Sequence, residues 1–519
     1  MKTPVPSASP APLTPRWFLF FTAFMTGAAI MVVEILGAKM LSPFIGTSHF
    51  VWTAQIAVTL VALACGYYAG GRLADKSQDL HTLYWAIIGA AVYLVLTVLV
   101  CEPVAYWCLD FNLAVGSLLA SAFLFFVPLG LLAMTGPFLV RVITSNVAGV
   151  GSNVGRLTAV GTVGSFLGTL LVSYVMLPWI PNSTSMYLTA SLLLIVAGFY
   201  FLRYRSGSKR PVVAVAASLA VVAALFFTEG RRQYGTFVER FHGNSHFGEI
   251  VVIERRDGQL RFYSNDNLVQ NTYDPVRRQS VSTFTYMLSG LARAYTTNIS
   301  SVLCIGMGVG IVPMEFAREG SRVEVVEINP AIVPVAERFF DLEPSKMTII
   351  IDDGRHFLNR ATNDYDAVIL DAFLGDSSPA HLMTREAFES IRRVLRPGGT
   401  LVINAFCELE PGRDFFAASL HQTLQSVFKG VRMHFGGGQI YFVATERTEP
   451  QALRTPDFAA MHPQARGDAM TAFQTLVSTD PGHGRVLTDD YNPVEFHDAR
   501  NREMVRRRLA LNARQMQNL

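Results

Sequence analysis

The chain is predicted to fold as a multi-pass α-helical membrane domain followed by an α/β domain, in which a small β-hairpin lead-in precedes a doubly wound, mostly parallel sheet. Three observations predict this. Apolar residues make up 50% of the 519 residues and charged residues only 16%, and the mean hydropathy of +0.31 is high for a water-soluble chain. The apolar residues gather before about Thr228. Beyond that point short apolar runs alternate with helix-like stretches, and several runs end on a glycine or a carboxylate, as parallel strands do at the edge where an open sheet binds its ligand.

Residues 1–16, rich in Pro, Ser and Ala, read as a disordered arm. They do not resemble a signal peptide, because the apolar stretch that begins at Trp17 is too long for a cleavable core and further spans follow it. Residues 17–230 read as a membrane domain of about seven helices: stretches 17–41, 51–71, 83–101, 115–134, 157–179, 187–202 and 212–228 approach the roughly 20 apolar residues a spanning helix needs. Glu34 lies within the first. A carboxylate in hydrocarbon is a functional-site candidate, and pairing with Lys39 or an interfacial group is the plainer alternative. Gly161, Gly164 and Gly168 read as a face for close helix packing. Gly71-Arg72-Leu73-Ala74-Asp75-Lys76 resembles the short loop signature of major facilitator transporters, although seven helices are fewer than that fold uses.

A net charge of +3 and the lack of a basic tract interleaved with aromatics argue against nucleic acid as a partner. Five cysteines without a CxxC spacing suggest neither a disulfide framework nor a zinc site, and no metal is expected.

In the second half, 240–298 reads as the β lead-in with a linking helix, 299–446 as a Rossmann-like catalytic domain and 447–519 as a carboxy-terminal extension. Residues 249–254 and 260–263 around Asp257-Gly258 give a hairpin signal. A helix over 276–295 follows. Strands are then expected at 301–305, 322–326, 347–351, 367–370 and 400–404, alternating with helices near 313–319, 330–339, 356–360 and 384–395.

The strand ends carry the candidate chemistry. After the first, Gly306, Gly308 and Gly310 let the backbone turn tightly and approach a ligand. Glu327 ends the second, where a carboxylate can take both hydroxyls of a ribose. Asp353-Gly354 ends the third. Asp353 can accept from an exocyclic adenine amine, and of Asp352 and Asp353 one is expected to cap the next helix while the other binds. Asp371 closes the buried run 367–370 and is followed by a Gly/Ser/Pro loop carrying Asp376. Together these two acids can attract a protonated amine and remove its proton, without which an alkyl amine of pKa about 10.4 is no nucleophile.

Residues 246–445 resemble the spermidine synthase family, the polyamine aminopropyltransferases, and the whole chain resembles its bacterial membrane-fused members. The likeness rests on Gly306 to Gly310, Glu327, Asp353-Gly354, the run from Tyr365 to Asp371, Pro379-Ala380 and Gly438-Gln439-Ile440. It implies that Glu327 holds the ribose, Asp353 the adenine, and Asp371 acts as general base, with Asp376 and Gln270 on the substrate side. The implied reaction moves an aminopropyl group from decarboxylated S-adenosylmethionine to putrescine, giving spermidine and methylthioadenosine. No permanently bound cofactor is implied, and a homodimer through the catalytic domain is. The departures are specific. Val309 stands where the family has an aspartate that anchors the aminopropyl amine, and Phe247-Gly248, Phe284-Thr285-Tyr286 and Phe435-Gly436 replace family motifs of the polyamine half.

Two other readings follow from those departures: a methyl or aminobutyryl transferase using intact S-adenosylmethionine, and a nucleoside- or polyamine-sensing regulator of a transporter-like membrane domain. Basic residues on the amino-terminal arm and alternate loops place the amino terminus in the cytoplasm. Seven spans would then put the soluble domain outside, whereas cosubstrate supply argues for the cytoplasm; a break or re-entrant turn at Pro128, Gly130, Gly136 and Pro137 would reconcile the two. The expected location is the cell (inner) membrane with the soluble domain cytoplasmic. Residues 487–495 form an acidic turn, bordering the cleft or on the surface, and 500–514 an amphipathic helix suited to acidic lipid headgroups.

Overall fold

The computed structural model describes residues 14–46, 49–144, 149–204, 209–228, 235–266, 268–373, 379–497, 501 and 504. The chain divides into two compact units, residues 1–45 with 49–232, and 233–519 with 46–48.

The first unit is helical. Among the described residues six helices are long and apolar enough to cross a membrane: α1 (Arg16–Ile45), α2 (His49–Lys76), α3 (Leu80–Cys108), α4 (Leu113–Ile143), α5 (Val150–Trp179) and α6 (Asn182–Arg203). A seventh, α7 (Lys209–Thr228), holds the shorter apolar stretch Arg210–Phe226. The break expected in the fourth stretch does not form. A π-helical turn at Ala122–Phe126 precedes Pro128 and absorbs its missing N–H, so α4 continues to Ile143. Gly130 there packs against Gly66 of α2, where a Cβ would collide with the Gly130 carbonyl.

The small-residue string of α5 is a close packing face. A Cβ on Gly164 would run into the Phe24 carbonyl of α1, and one on Gly168 would sit 2.6 Å from that of Ala28. Residues 71–76 are the last turns of α2 rather than a loop, and Asp75 there faces Arg141 at 3.5 Å. Glu34 is half-buried and hydrogen-bonds Thr59 of α2; among the described residues no ion pair joins it to Lys39.

The second unit opens with a five-stranded antiparallel sheet in the order β1 (Phe237–Ser245), β2 (Gly248–Arg255), β3 (Arg261–Asn265), β4 (Leu268–Asp274) and β5 (Gln279–Ser280). The predicted hairpin is β2–β3, with Ile253 opposite Phe262. The linking helix, expected from 276, starts later as α8 (Thr283–Tyr295). Asp274 takes the backbone N–H groups of Val276 and Arg277 into a turn, Arg278 adopts φ +57°, and Gln279–Ser280 pair with β4 instead of joining the helix.

The larger sheet has eight strands in the order β13-β11-β12-β10-β9-β6-β7-β8. Its parallel part is β6 (Ser301–Ile305), β7 (Arg322–Glu327), β8 (Thr348–Ile351), β9 (Tyr365–Leu370) and β10 (Leu395–Ala405). The antiparallel part is β11 (Gly430–Gly436), β12 (Gln439–Thr445) and β13 (Leu476–Val477). Alternate strand residues pack on opposite faces, as strand geometry requires. Cys304, Val325 and Ile369 meet α8, α9 (Ile311–Arg318), α10 (Ile332–Phe339) and α14 (Pro463–Gln474), whereas Ile305, Val326 and Leu370 meet α11 (Gly354–Arg360), α12 (Arg385–Val394) and α13 (Phe415–Gln425). The chain runs outward from β6 to β8 in one direction and from β9 to β10 in the other. The crevice therefore opens between the carboxyl ends of β6 and β9, the switch point of a Rossmann-like fold.

Candidate active site

At that switch point the end of β6 and the end of β9 are fastened together: the Asp371 N–H donates to the Ile305 carbonyl at 3.0 Å. Gly306 follows with φ +89°, and a Cβ there would strike the carbonyl of Asp371. Gly306→Ala is expected to destabilise the soluble unit by about 2 kcal/mol, since it combines backbone strain with this collision. A thermal melt of the purified protein measures it. Gly308 (φ +53°) also borders the cleft, with the Asn271 amide 3.2 Å from where its Cβ would lie. Gly310 does not line the cleft; its φ of +81° serves the entry into α9.

Glu327 closes β7 and is 8% exposed. Its carboxylate accepts from the N–H of Met307 at 2.9 Å and of Asn329 at 2.8 Å, tying the glycine loop to the neighbouring strand. Burial raises its pKa, and these backbone donors only partly offset that.

Of the Asp352-Asp353 pair one caps the next helix, as expected, and it is the residue assigned to adenine that does so. Asp353, assigned to adenine from the sequence, is itself the cap of α11: one oxygen accepts from the N–H of Arg355 (2.9 Å) and His356 (3.1 Å), and the other lies 3.0 Å from His381 Nε2. Burial raises its pKa, but these hydrogen bonds outweigh it and hold the group below the usual range. Asp352, the other member of the pair, is held by His356 and Arg360 at 2.8 Å each. Both carboxylates line the cleft. Gly354 is required by packing, because a Cβ would lie 2.5 Å from Ile305 Cγ2.

Asp371 accepts from Asn404 Nδ2 at 2.9 Å. Burial pushes its carboxyl up to about 6, opposed by that one hydrogen bond. Asn404 Oδ1 is buried and has no partner among the described residues, so a group with two N–H bonds arriving at Asp371 would satisfy both side chains. Asn404→Leu is expected to move the acidic limb of the kcat/KM profile above pH 6 by on the order of one unit, because it removes the donor that, among the described residues, favours ionised Asp371. A pH series on the variant measures this.

Gln270 lies on β4 and lines the cleft; Asp376 falls outside the described residues. Val309 is 1% exposed and packs into the core beneath the glycine loop, away from the cleft. Phe247 and Phe284 both line the cleft, as does the edge-to-face pair Phe373–Phe406, whose rings are 5.1 Å apart. Residues 487–495 do not line it. Asp489 binds Arg355 (2.8 Å) and Thr384 (2.6 Å), and Asn492 holds the Ala380 carbonyl, so this segment buttresses the loop that carries His381. Asn404, His381 and Asp468 were not found from the sequence; only Asn404, at a strand end, carried a signal that could have found it.

The cleft encloses about 450 Å³. Its lining holds the carboxylates Glu327, Asp352, Asp353, Asp371 and Asp468, with His381 as the sole basic side chain among the described residues and no Lys or Arg. Among the described residues no group of three or more His, Cys, Asp or Glu is arranged to hold a metal. An acidic cleft at the switch point of this sheet, with a half-buried carboxylate whose carboxyl is pushed up to about 6, is the site of a transferase domain. Residues 282–435 match the family model described as the spermine/spermidine synthase domain, so the chain carries a domain of that family.

The chain is 29% identical over 266 residues to a polyamine aminopropyltransferase of Vibrio vulnificus, which covers 48% of this chain and 88% of that protein. It is 31% identical over 233 residues to an N-terminal histidine N-methyltransferase of Emericella nidulans, covering 40% of this chain but only 41% of that one. The crystal structure of a probable spermidine synthase from Corynebacterium glutamicum is similar over 47% of this chain and 96% of its own, with 19% identity and a TM-score of 0.37. The chain thus spans most of the Vibrio protein and less than half of the Emericella one.

Proposed function

We propose that the protein is a membrane-anchored polyamine aminopropyltransferase that moves an aminopropyl group from decarboxylated S-adenosylmethionine to putrescine, giving spermidine and methylthioadenosine. The observation that carries this reading is the cleft lining: five carboxylates and no Lys or Arg among the described residues. Such a lining suits a cationic sulfonium donor and a cationic amine, and it offers the carboxylate of an intact S-adenosylmethionine no basic side chain but His381.

Glu327 takes the ribose hydroxyls and Asp353 the adenine amine, with Gly306, Gly308 and Gly354 shaping the path of the nucleoside and Gly310 turning the loop into α9. Asp371 is the general base, and Gln270 and Asp376 lie on the acceptor side. A neighbouring sulfonium lowers the pKa of the amine, and Asp371 and Asn404 orient it. As the amine loses its proton to Asp371, its lone pair forms a bond to the propyl carbon next to sulfur. That C–S bond breaks, its electron pair neutralises the sulfur, and methylthioadenosine leaves; the proton passes on to water. Catalysis comes from positioning and proton removal, because the sulfonium is already a good leaving group.

Incubating the purified full chain with the decarboxylated donor and putrescine tests the reading. Spermidine and methylthioadenosine, identified by mass, are expected. A methylated amine formed from the intact donor would instead support the N-methyltransferase reading, which Val309 favours because it leaves no carboxylate on the glycine loop.

The helical unit anchors the enzyme in the cell membrane as the second part of the proposal. Six spans with a cytoplasmic amino terminus support a cytoplasmic second unit, beside its cosubstrate. A periplasm-dependent reporter fused after Leu519 is expected to be inactive.

A further inference from the structure

We propose that Asp468 binds the ammonium at the far end of the acceptor amine and so gives the enzyme a preference for diamines over monoamines. The inference rests on the amine-acceptor reading above. Four of the five carboxylates in the cleft are already engaged: Glu327 by two backbone N–H groups, Asp352 by His356 and Arg360, Asp353 by the α11 cap and His381, and Asp371 by Asn404. Asp468 alone among them makes no hydrogen bond or ion pair with the described residues.

Its place is fixed by the helix that carries it. On α14, Ala465, Ala469 and Ala472 are buried, and Ala472 packs against Gly436 so tightly that no Cβ fits there. Asp468, beside Ala469 and one turn before Ala472, is exposed and reaches the cleft with Gly437, the residue after Gly436.

The path from the base to this carboxylate follows β12. Asn404, which holds Asp371, pairs with Tyr441; the Tyr441 hydroxyl donates to Gln439 at 2.8 Å; and Gln439 leads to Gly437 at the turn. Gly437-Gly438 form the turn that opens β12, so Asn404 and the Gly437 side of the cleft lie toward the same end of that strand, where a diamine can meet a hydrogen-bond partner at each end. Along this side the walls include Phe406 and Phe373, which offer the methylene chain an apolar surface and its second charge no partner.

The test is equilibrium binding of putrescine and of butylamine, which lacks the second amine, to the full chain in detergent with methylthioadenosine present. Wild-type protein is expected to bind putrescine roughly tenfold tighter than butylamine or better. Asp468→Asn should erase that ratio by weakening putrescine binding far more than butylamine binding, and Asp468→Glu should keep it. A ratio equal in wild type and Asp468→Asn, or no preference in wild type, overturns the proposal. Failure of the aminopropyl reading would show separately, as a diamine preference that persists without methylthioadenosine release on turnover.

Discussion

Asp371→Asn is expected to lower the transfer rate by roughly 10²- to 10⁴-fold while leaving donor affinity within a few-fold of wild type, the signature of a lost general base. The variant keeps shape and a hydrogen bond to Asn404 but cannot accept the amine proton. The same substitution should make the soluble unit more stable at pH 8. In the folded protein burial raises the Asp371 carboxyl to about 6, above its unfolded value of about 3.9. Its contribution is therefore fully present below about pH 4 and is lost as pH rises through about 6, so ionised Asp371 costs up to about 3 kcal/mol at pH 8. Rate and melting temperature measured together separate a base from a residue that merely holds the fold: a base yields a slower, more stable variant, and a structural residue a less stable one. Wild-type kcat/KM should also fall as pH drops below about 6.

Glu327→Gln is expected to weaken donor binding by about 100-fold, with a much smaller fall in kcat at saturating donor. Two losses combine. A neutral amide takes the ribose hydroxyls less strongly than a carboxylate. Its NH₂ group must also face the N–H of either Met307 or Asn329, both of which donate to Glu327 in the wild type, so two donors oppose each other in a buried site. Titration with methylthioadenosine measures the effect. Unchanged affinity would mean that Glu327 holds only the loop.

Much of this site is legible in the sequence because parallel strands buried on both faces must be nearly continuous apolar runs. The runs ending at Gly306, Glu327 and Asp371 stand out for that reason, and the strand-end rule gives their side chains a shared edge. What stays hidden depends on tertiary contacts. β1 alternates half-buried with exposed residues and has no apolar face strong enough to mark it. The division of labour between Asp352 and Asp353 turns on His356, Arg360 and His381, two of them carried on α11, whose pairing no spacing rule dictates. Asp468 reaches the cleft only because an alanine face on α14 seats that helix against β11. In the helical unit, prolines and glycines that usually signal a break sit in a helix that a π-helical turn allows to continue.

An acidic cleft without Lys or Arg among the described residues is expected to select a donor lacking a carboxylate. Competitive binding of decarboxylated and intact S-adenosylmethionine to the purified full chain at neutral pH tests it most directly. The account predicts that the decarboxylated donor binds at least tenfold tighter, from charge complementarity worth on the order of 1.4 kcal/mol or more. Equal affinity, or tighter binding of the intact donor, would contradict it.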